Sequence, residues 1–315
     1  MSYRKYLLRV LLFSIINIFL ILSLAAYLNK DYESDVLFDK EYLLKTNPQI
    51  IFAGDSRAEM HLDPDVAVAF LDMKNGDVIN IAQSSGDILV VNDLAVRFPN
   101  KFINATLIVS ISANQLNDGA KTPVYFPNSM IAKMNIFEQI QMFIPKNAET
   151  LFAYYYSNIE QKIKKILGIN LKKPNHKYDN HRGFKINDKM ASLERMISKK
   201  DINNHPWYQN YNYYGLKHQL IKDALSSLKK RVKRLVVYTG TFAPTYIKNI
   251  ENTNVWESEV VFQKALFEIC KDLDIEFINF VDYSDFEDKL FSDEAHFNYE
   301  GAKVFTKILL SKVFN

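Results

Sequence analysis

The amino-acid sequence predicts an α/β protein in which a five-stranded parallel sheet lies between two layers of helices. Five short apolar runs are distributed along the chain, and they are rich in β-branched residues and continuous rather than alternating. Such runs are typical of strands that are buried on both faces of a parallel sheet. Helical patterns separate several of them, and alternation of strand and helix indicates a doubly wound three-layer sandwich.

The five strands are predicted at 49–56, 77–82, 106–112, 234–240 and 276–282. Helical patterns are found at 64–71, 216–232, 255–273 and 302–313. We expect the flavodoxin-like strand order, in which the carboxyl ends of the strands meet along one edge of the sheet. Reactive groups gather at that edge in such folds, so the residues that follow the strands are the candidates for a functional site.

The connection between the third and fourth strands is much longer than an ordinary crossover. It runs from about 117 to 231, has no clear strand pattern, and is helical in parts, at 130–143, 150–167 and 216–232. We interpret it as a helical cap inserted over the carboxyl edge of the sheet. Its aromatic segment around Trp207 and Tyr208 predicts one of two roles, which are stacking on a sugar substrate or forming the core of the cap.

The first thirty residues predict a membrane anchor. Residues 10–28 carry no charge, and a helix of that length spans roughly 28 Å, close to the hydrocarbon thickness of a bilayer. Arg4, Lys5 and Arg9 precede it, so the positive-inside bias places the rest of the chain outside the cytoplasm. A cleaved signal peptide is the rival interpretation and also exports the domain, but the apolar run is longer than a usual signal core. We therefore assign 1–30 to an anchor, 31–47 to a charged stalk and 48–315 to the folded domain.

Composition excludes several classes of function. The net charge of +3 comes from the first thirty residues, which contribute +4, and the remainder has no basic block of the kind that binds nucleic acid. The single cysteine, Cys270, rules out an intramolecular disulfide and lies in an apolar helical run, where we expect it to pack in the core. His176 and His181 lie in a polar stretch without suitably spaced carboxylates, so we expect neither a metal nor a cofactor.

Three residues at predicted strand ends form a candidate catalytic set. Ser56 ends the first strand in AGDSR, where a tight strand-to-helix turn would expose its hydroxyl. Asp293 and His296 follow the fifth strand in SDEAHFN. Their spacing of three lets one loop place the carboxylate beside the imidazole, which fixes the histidine tautomer and stabilises the imidazolium. We expect Ser56 as nucleophile, His296 as base and Asp293 as the orienting acid.

Candidate oxyanion donors and a candidate substrate contact lie at the same edge. The donors are the backbone N–H groups of Ser56 and Gly86 and the side-chain amide of Asn114, which follows the third strand. Gly76 is an alternative to Gly86. Arg57, directly after the nucleophile, could bind an anionic substrate or could pair with a nearby acid, Asp63 or Asp65.

These segments resemble the four blocks of the SGNH (GDSL-like) hydrolase family, which are built on GDS, Gly, G-x-N-D and D-x-x-H. The matching segments are AGDS at 53–56, Gly86, SANQ at 112–115 and DEAH at 293–296. The last block, continued as DEAHFNYEGAKVFTKIL, is the most specific. The third block departs from the pattern, because Ser112 stands in place of Gly and Gln115 in place of Asp. The likeness covers roughly 48–116 and 232–315.

The N-terminal segment and the residues around DEAH are similar to an extracytoplasmic branch that includes the teichoic-acid D-alanylation protein and alginate O-acetylation proteins. This resemblance implies a membrane-anchored serine O-acyltransferase or O-acyl esterase that transfers or removes acyl groups, with O-acetyl as the expected group, on a cell-envelope polysaccharide. It also implies an acyl donor and a membrane-bound O-acyltransferase as partners, on the periplasmic or cell-surface side. The alternative is a catalytically silent scaffold of the same fold that binds glycan or such a membrane partner.

Overall fold

A computed structural model of the chain describes residues 46–84, 86–119, 183–187, 208, 210–281 and 285–314, with 5, 6, 9–13, 17 and 137 in addition. The chain divides into two compact units. One comprises Met1–Ser34 with Ile131–Asn175, and the other Asp35–Met130 with His176–Asn315. In the first unit the few described residues are helical. All elements that follow belong to the second unit.

The second unit is built on one parallel sheet of five strands in the order β2-β1-β3-β4-β5. The strands are β1 (Ile50–Ala53), β2 (Val78–Asn80), β3 (Thr106–Ser110), β4 (Arg234–Thr239) and β5 (Glu276–Asn279). Each lies within a predicted apolar run, and the predicted α/β class with an all-parallel sheet is confirmed. The first strand ends at Ala53, three residues before its predicted end, and helix begins at Ser56.

Burial along the strands explains why their sequences are continuous apolar runs. Every residue of β1, β2 and β3 is buried, and in β4 only Arg234 at the start is not. These strands are therefore covered on both faces, as the apolar runs predicted. Edge strand β5 is different, because its residues are partly buried and Asn279 is exposed.

The helices that the structure describes in the second unit alternate with the strands. Before β4 they are α1 (Ser56–His61), α2 (Pro64–Phe70), α3 (Ile88–Arg97), α4 (Pro99–Phe102), α5 (Ala113–Leu116) and α6 (Leu216–Lys229). After β4 they are α7 (Pro244–Ile250), α8 (Asn254–Asp272) and α9 (Tyr299–Phe314), and a 3₁₀ turn lies at Asp288–Leu290. Aspartates cap the first three helices, since Asp55, Asp63 and Asp87 each accept hydrogen bonds from first-turn N–H groups.

Two groups of helices pack around the sheet. In the first group α9 packs on α1 and α2, while α1 contacts β1 and β3 and α2 contacts β2. In the second group α6 packs on α3, α5 and β4, and α8 packs on α5, α7 and β5. Helix α6 was predicted as the last part of the cap, but by these contacts it packs in the second group, on β4 and α3.

Two predicted features lie largely or wholly outside the described residues. The cap helices predicted at 130–143 and 150–167 fall there, except for Phe137. The predicted anchor at 10–28 falls there except for 10–13 and Asn17. Within the portion of the chain that the structure describes, no helix has the length and apolar character needed to cross a membrane.

Candidate active site

The turn between β1 and α1 presents Ser56 at the carboxyl edge of the sheet. Gly54 has φ +127°, and a Cβ there would lie 2.5 Å from the Ser110 carbonyl oxygen on the neighbouring strand. Only glycine accommodates both the conformation and this close approach. Asp55 then caps α1 through the Arg57 N–H, at 3.0 Å. Ser56 is therefore the first residue of the helix, a position whose N–H has no partner within the helix itself.

Ser56, His296 and Asp293 form one continuous hydrogen-bonded chain. The Ser56 Oγ lies 2.8 Å from the His296 Nε2. On the other side of the ring, His296 Nδ1 lies 2.9 Å from both carboxylate oxygens of Asp293. The structure thus brings the three predicted residues together, although 240 positions separate the serine from the histidine. In this arrangement Nδ1 donates to the carboxylate, which leaves Nε2 free to accept the serine proton.

The carboxylate of Asp293 also shapes its own loop. Its Oδ1 accepts hydrogen bonds from the backbone N–H groups of Ala295 and His296, at 2.9 and 2.8 Å. Burial by itself would raise the pKa of Asp293, but the His296 ring and these N–H groups outweigh it and hold the pKa below its ordinary value. Asp293 is therefore ionised at neutral pH.

His61 supports the loop of Asp293 and His296 from beneath, which the sequence did not reveal. Its Nε2 accepts a hydrogen bond from the backbone N–H of Phe297 at 3.2 Å, and its ring packs edge-on to Phe297 and, at 6.2 Å, to His296. Burial, followed by the charges of His296 and Arg57, lowers the pKa of His61 well below its ordinary value. His61 is therefore neutral and able to accept this bond. The only signal in the sequence was a histidine in the same short helix as Ser56.

A segment of the predicted cap also contacts the site. The Lys185 N–H donates to the Glu59 carbonyl on α1 at 3.0 Å. Asn187 donates through its side chain to the Ser292 Oγ at 2.7 Å, and its carbonyl accepts from the Tyr299 N–H. Residues 183–187 thus touch both the helix that begins with Ser56 and the loop that bears His296.

Gly86 lies beside the turn of Gly54–Ser56, but its N–H is engaged. A Cβ at Gly86 would lie 2.6 Å from the Gly54 carbonyl oxygen, so glycine is needed for the two turns to meet. The Gly86 N–H donates to the Gln83 carbonyl at 2.7 Å. An oxyanion role for this N–H would require that bond to be released. The alternative, Gly76, precedes β2 and so lies at the amino end of its strand, away from the site.

Asn114 presents an uncommitted amide. It lies in α5, directly after β3, and its side chain makes no hydrogen bond to any described residue, although its Oδ1 is buried. Its backbone carbonyl is held by the Lys217 Nζ at 3.2 Å, and the same ammonium donates to the Asn117 carbonyl at 2.8 Å. Burial lowers the pKa of Lys217 to about 8. Lys217 was not among the predicted site residues.

Arg57 is buried and does not pair with either predicted acid. Its guanidinium stacks on the Phe242 ring at 4.5 Å, and its Nη1 lies 3.5 Å from the Gly240 carbonyl. Among the residues that the structure describes, neither Asp63 nor Asp65 forms an ion pair with it. Of the two roles predicted for Arg57, the one based on pairing is therefore wrong.

The burial of Tyr208 and Cys270 decides between the roles predicted for them. Tyr208 is 3% exposed, which favours the core role over stacking on a sugar. Trp207 lies outside the described residues. Cys270 is fully buried, and burial raises the pKa of its thiol to about 12. Core packing of Cys270 is confirmed.

Comparisons with known proteins add little to this site. Neither a protein-family model nor a curated protein sequence matches the chain. A solved structure from Streptococcus pneumonia, provisionally described as a platelet activating factor, is similar with a TM-score of 0.35 and 11% identity, over 99% of this chain and 100% of that one. Similarity at this level is too low to assign a fold or an activity.

Proposed function

We propose that this protein is a serine acyl-transfer enzyme of the SGNH hydrolase type, with Ser56, His296 and Asp293 as its catalytic residues. The observation that carries the proposal is the hydrogen-bonded chain from Ser56 Oγ through the His296 ring to the Asp293 carboxylate. A nucleophile, a base and an orienting acid in this geometry are what acyl transfer requires. The strand order β2-β1-β3-β4-β5 and the two helix groups support a flavodoxin-like three-layer sandwich of the kind that this family uses.

In the proposed reaction Ser56 Oγ attacks the carbonyl carbon of an ester. His296 Nε2 takes the serine proton, and Asp293 stabilises the imidazolium that forms. The oxyanion receives hydrogen bonds from the Ser56 N–H and the uncommitted amide of Asn114. As the tetrahedral intermediate collapses, the alcohol leaves with the proton from His296 and an acyl-enzyme remains. Water or a sugar hydroxyl then attacks the acyl group, and the serine is regenerated.

The substrate and location follow from the resemblance and from the N-terminal segment. We place the domain outside the cytoplasm, tethered by residues 10–28, and acting on an O-acylated cell-envelope polysaccharide beside a membrane-bound O-acyltransferase. The described residues 10–13 are helical and their apolar side chains are exposed, Phe13 by 70%, which supports contact with lipid. Arg57 directly follows Ser56, and its guanidinium stacks on Phe242 without an ion pair to any described residue, which supports binding of an anionic group on the substrate.

A fluorophosphonate probe tests the proposal directly, because it labels only a serine that a base has activated. We expect labelling at Ser56 and its loss in Ser56→Ala and in His296→Ala. His218→Ala is the matched control, since His218 belongs to α6 and should leave labelling unchanged. A wild-type chain that folds but is not labelled would favour the catalytically silent scaffold instead.

A second assay separates transferase from hydrolase. The domain is incubated with an activated acetyl ester, with and without an oligosaccharide acceptor, and the released and transferred acetyl groups are counted. Acetyl transfer to the sugar identifies an O-acyltransferase. Release to water alone, at a rate that the acceptor does not change, identifies an esterase.

A further inference from the structure

A buried carboxylate lies directly beneath the nucleophile turn. Asp55 is 5% exposed. Its Oδ1 accepts hydrogen bonds from the Arg57 N–H at 3.0 Å and from the Ser110 hydroxyl at 3.4 Å. Its Oδ2 accepts from the Ser112 hydroxyl and from the Gln115 side-chain amide, the latter at 3.3 Å. All four donors are uncharged, so hydrogen bonds rather than an ion pair hold this carboxylate within the described part of the molecule.

The donors come from the two segments that carry the proposed chemistry. The Arg57 N–H belongs to α1, which begins with Ser56. Ser112 and Gln115 flank Asn114, which follows the adjacent strand β3. Asp55 therefore joins the segment of the nucleophile to the segment of the proposed oxyanion donor through a single side chain.

We propose that Asp55 is a positioning residue, and that Ser112 and Gln115 are the donors through which it sets the Asn114 amide relative to the Ser56 hydroxyl. This inference rests on the proposed function. It also accounts for the two departures from the G-x-N-D pattern. Ser112 and Gln115 are the two positions that depart, and both donate to the same atom, Asp55 Oδ2.

The environment of Gln115 favours this role. The residue is 1% exposed, and its Oε1 is buried without a hydrogen-bond partner among the described residues. Leaving a buried acceptor unsatisfied is costly. In this position the carbonyl oxygen of the Gln115 side chain is unsatisfied. The polar contact that the side chain does make is the hydrogen bond from its amide nitrogen to Asp55.

Gln115→Glu tests the inference with almost no change of shape. It replaces the amide nitrogen, 3.3 Å from Asp55 Oδ2, by a carboxylate oxygen. Two carboxylates so close raise the pKa of one of them, because both cannot be ionised without repulsion. Below the raised pKa a shared proton restores the hydrogen bond, and above it the two groups repel. Relative to wild type at the same pH, kcat should therefore fall at least about 10-fold further at pH 8 than at pH 5.5, with KM for a small ester changed less than about threefold.

Two control variants separate positioning from general damage. Gln115→Met removes the donor without adding charge, so its kcat relative to wild type should be lowered equally at both pH values. Gln219→Glu is the matched control. The Gln219 amide also donates to a carboxylate, that of Asp223 at 2.8 Å, but on the exposed face of α6. This variant should match wild type at both pH values. Ser112→Ala removes the other donor to Oδ2 and should lower kcat about 10-fold with little change in KM.

The outcomes distinguish this inference from the proposed function. If wild type is labelled at Ser56 but Gln115→Glu matches it at every pH, or loses the same factor as Gln115→Met at every pH, the positioning role is overturned. If Gln115→Glu does not fold, an unchanged kcat in Ser112→Ala overturns it. If folded wild type is neither labelled nor active, the proposed function fails and the positioning role fails with it.

Discussion

His61 offers a quantitative test of how the loop of Asp293 and His296 is supported. Its side chain is fully buried, and its Nε2 accepts the backbone N–H of the residue that follows His296. A protonated ring could not accept that bond. The fold therefore requires the neutral form, and acid should weaken the fold through this residue.

The magnitude follows from proton linkage. In the unfolded chain His61 has its ordinary pKa of 6.5, and in the folded protein its pKa lies well below that value. Between the two values the unfolded state binds one more proton, so stability is lost as the pH falls, by about 1.4 kcal/mol per pH unit. At pH 5.5 the loss from this residue amounts to about 1.4 kcal/mol relative to its value well above pH 6.5.

Substitution by glutamine removes the titration while its side-chain oxygen can still accept the Phe297 N–H. We expect His61→Gln to be less stable than wild type at pH 7.5. At pH 5.5 the difference in unfolding free energy should shift by about 1.4 kcal/mol in favour of the variant, because only wild type loses stability through His61. Urea unfolding of both proteins at several pH values measures this difference. His218→Gln is the control and should show a smaller change, because His218 is only partly buried. A wild-type-to-variant difference that does not vary between pH 7.5 and pH 5.5 would refute the neutral, buried state of His61.

Three further predictions concern the turn, the triad and the cap. Gly54→Ala should destabilise the fold by at least about 2 kcal/mol in chemical denaturation. Gly76 also has positive φ, but a Cβ there would lie 3.6 Å from Thr46, so Gly76→Ala should cost less. Equal costs would argue against the close approach of Gly54 to Ser110. For a small ester, Asp293→Asn should keep a kcat about 100-fold higher than that of Ser56→Ala. Equal kcat values in the two variants would mean that the carboxylate is as essential as the serine. Tyr208→Ala should destabilise the protein by about 3–5 kcal/mol as a buried aromatic residue, against little change for exposed Tyr214→Ala. A stable Tyr208→Ala variant that loses only use of a sugar acceptor would restore the substrate-binding role.

The strands and the Asp293–His296 pair were predictable because their signals are local, and Ser56 was added to the pair because strand ends meet at one edge of a parallel sheet. Continuous β-branched runs marked all five strands, and a spacing of three placed Asp293 beside His296. Helix α3 was missed because its sequence, ILVVNDLAVR, begins like a strand. The helix forms because Asp87 caps it, accepting the Leu89 and Val90 N–H groups at 2.7 and 3.0 Å, and because its apolar face packs on α6. Tertiary packing here overrides the β propensity of Val and Ile.

The supports of the site could not be found in the same way, because they join distant parts of the chain. Ser112 reaches Asp55 across 57 positions, and Phe297 reaches His61 across 236. Lys217, whose ammonium holds the Asn114 carbonyl, comes from a helix that the sequence assigned to the cap. Each of these residues has an ordinary sequence context, and its role arises only when the parallel winding brings the strand ends together.

The length of α1 shows why such supports are needed. A helix of six residues is far below the length at which a helix is stable by itself, so its position must be imposed by the rest of the fold. Asp55 holds its first turn. At its other end Asn80 donates to the Ala58 and Leu62 carbonyls, both at 2.8 Å, and the Thr306 hydroxyl donates to the His61 carbonyl at 3.0 Å. Because β2 and α9 both hold the carboxyl end of this helix, a change at Asn80 or Thr306 should shift Ser56 relative to His296 without touching either residue.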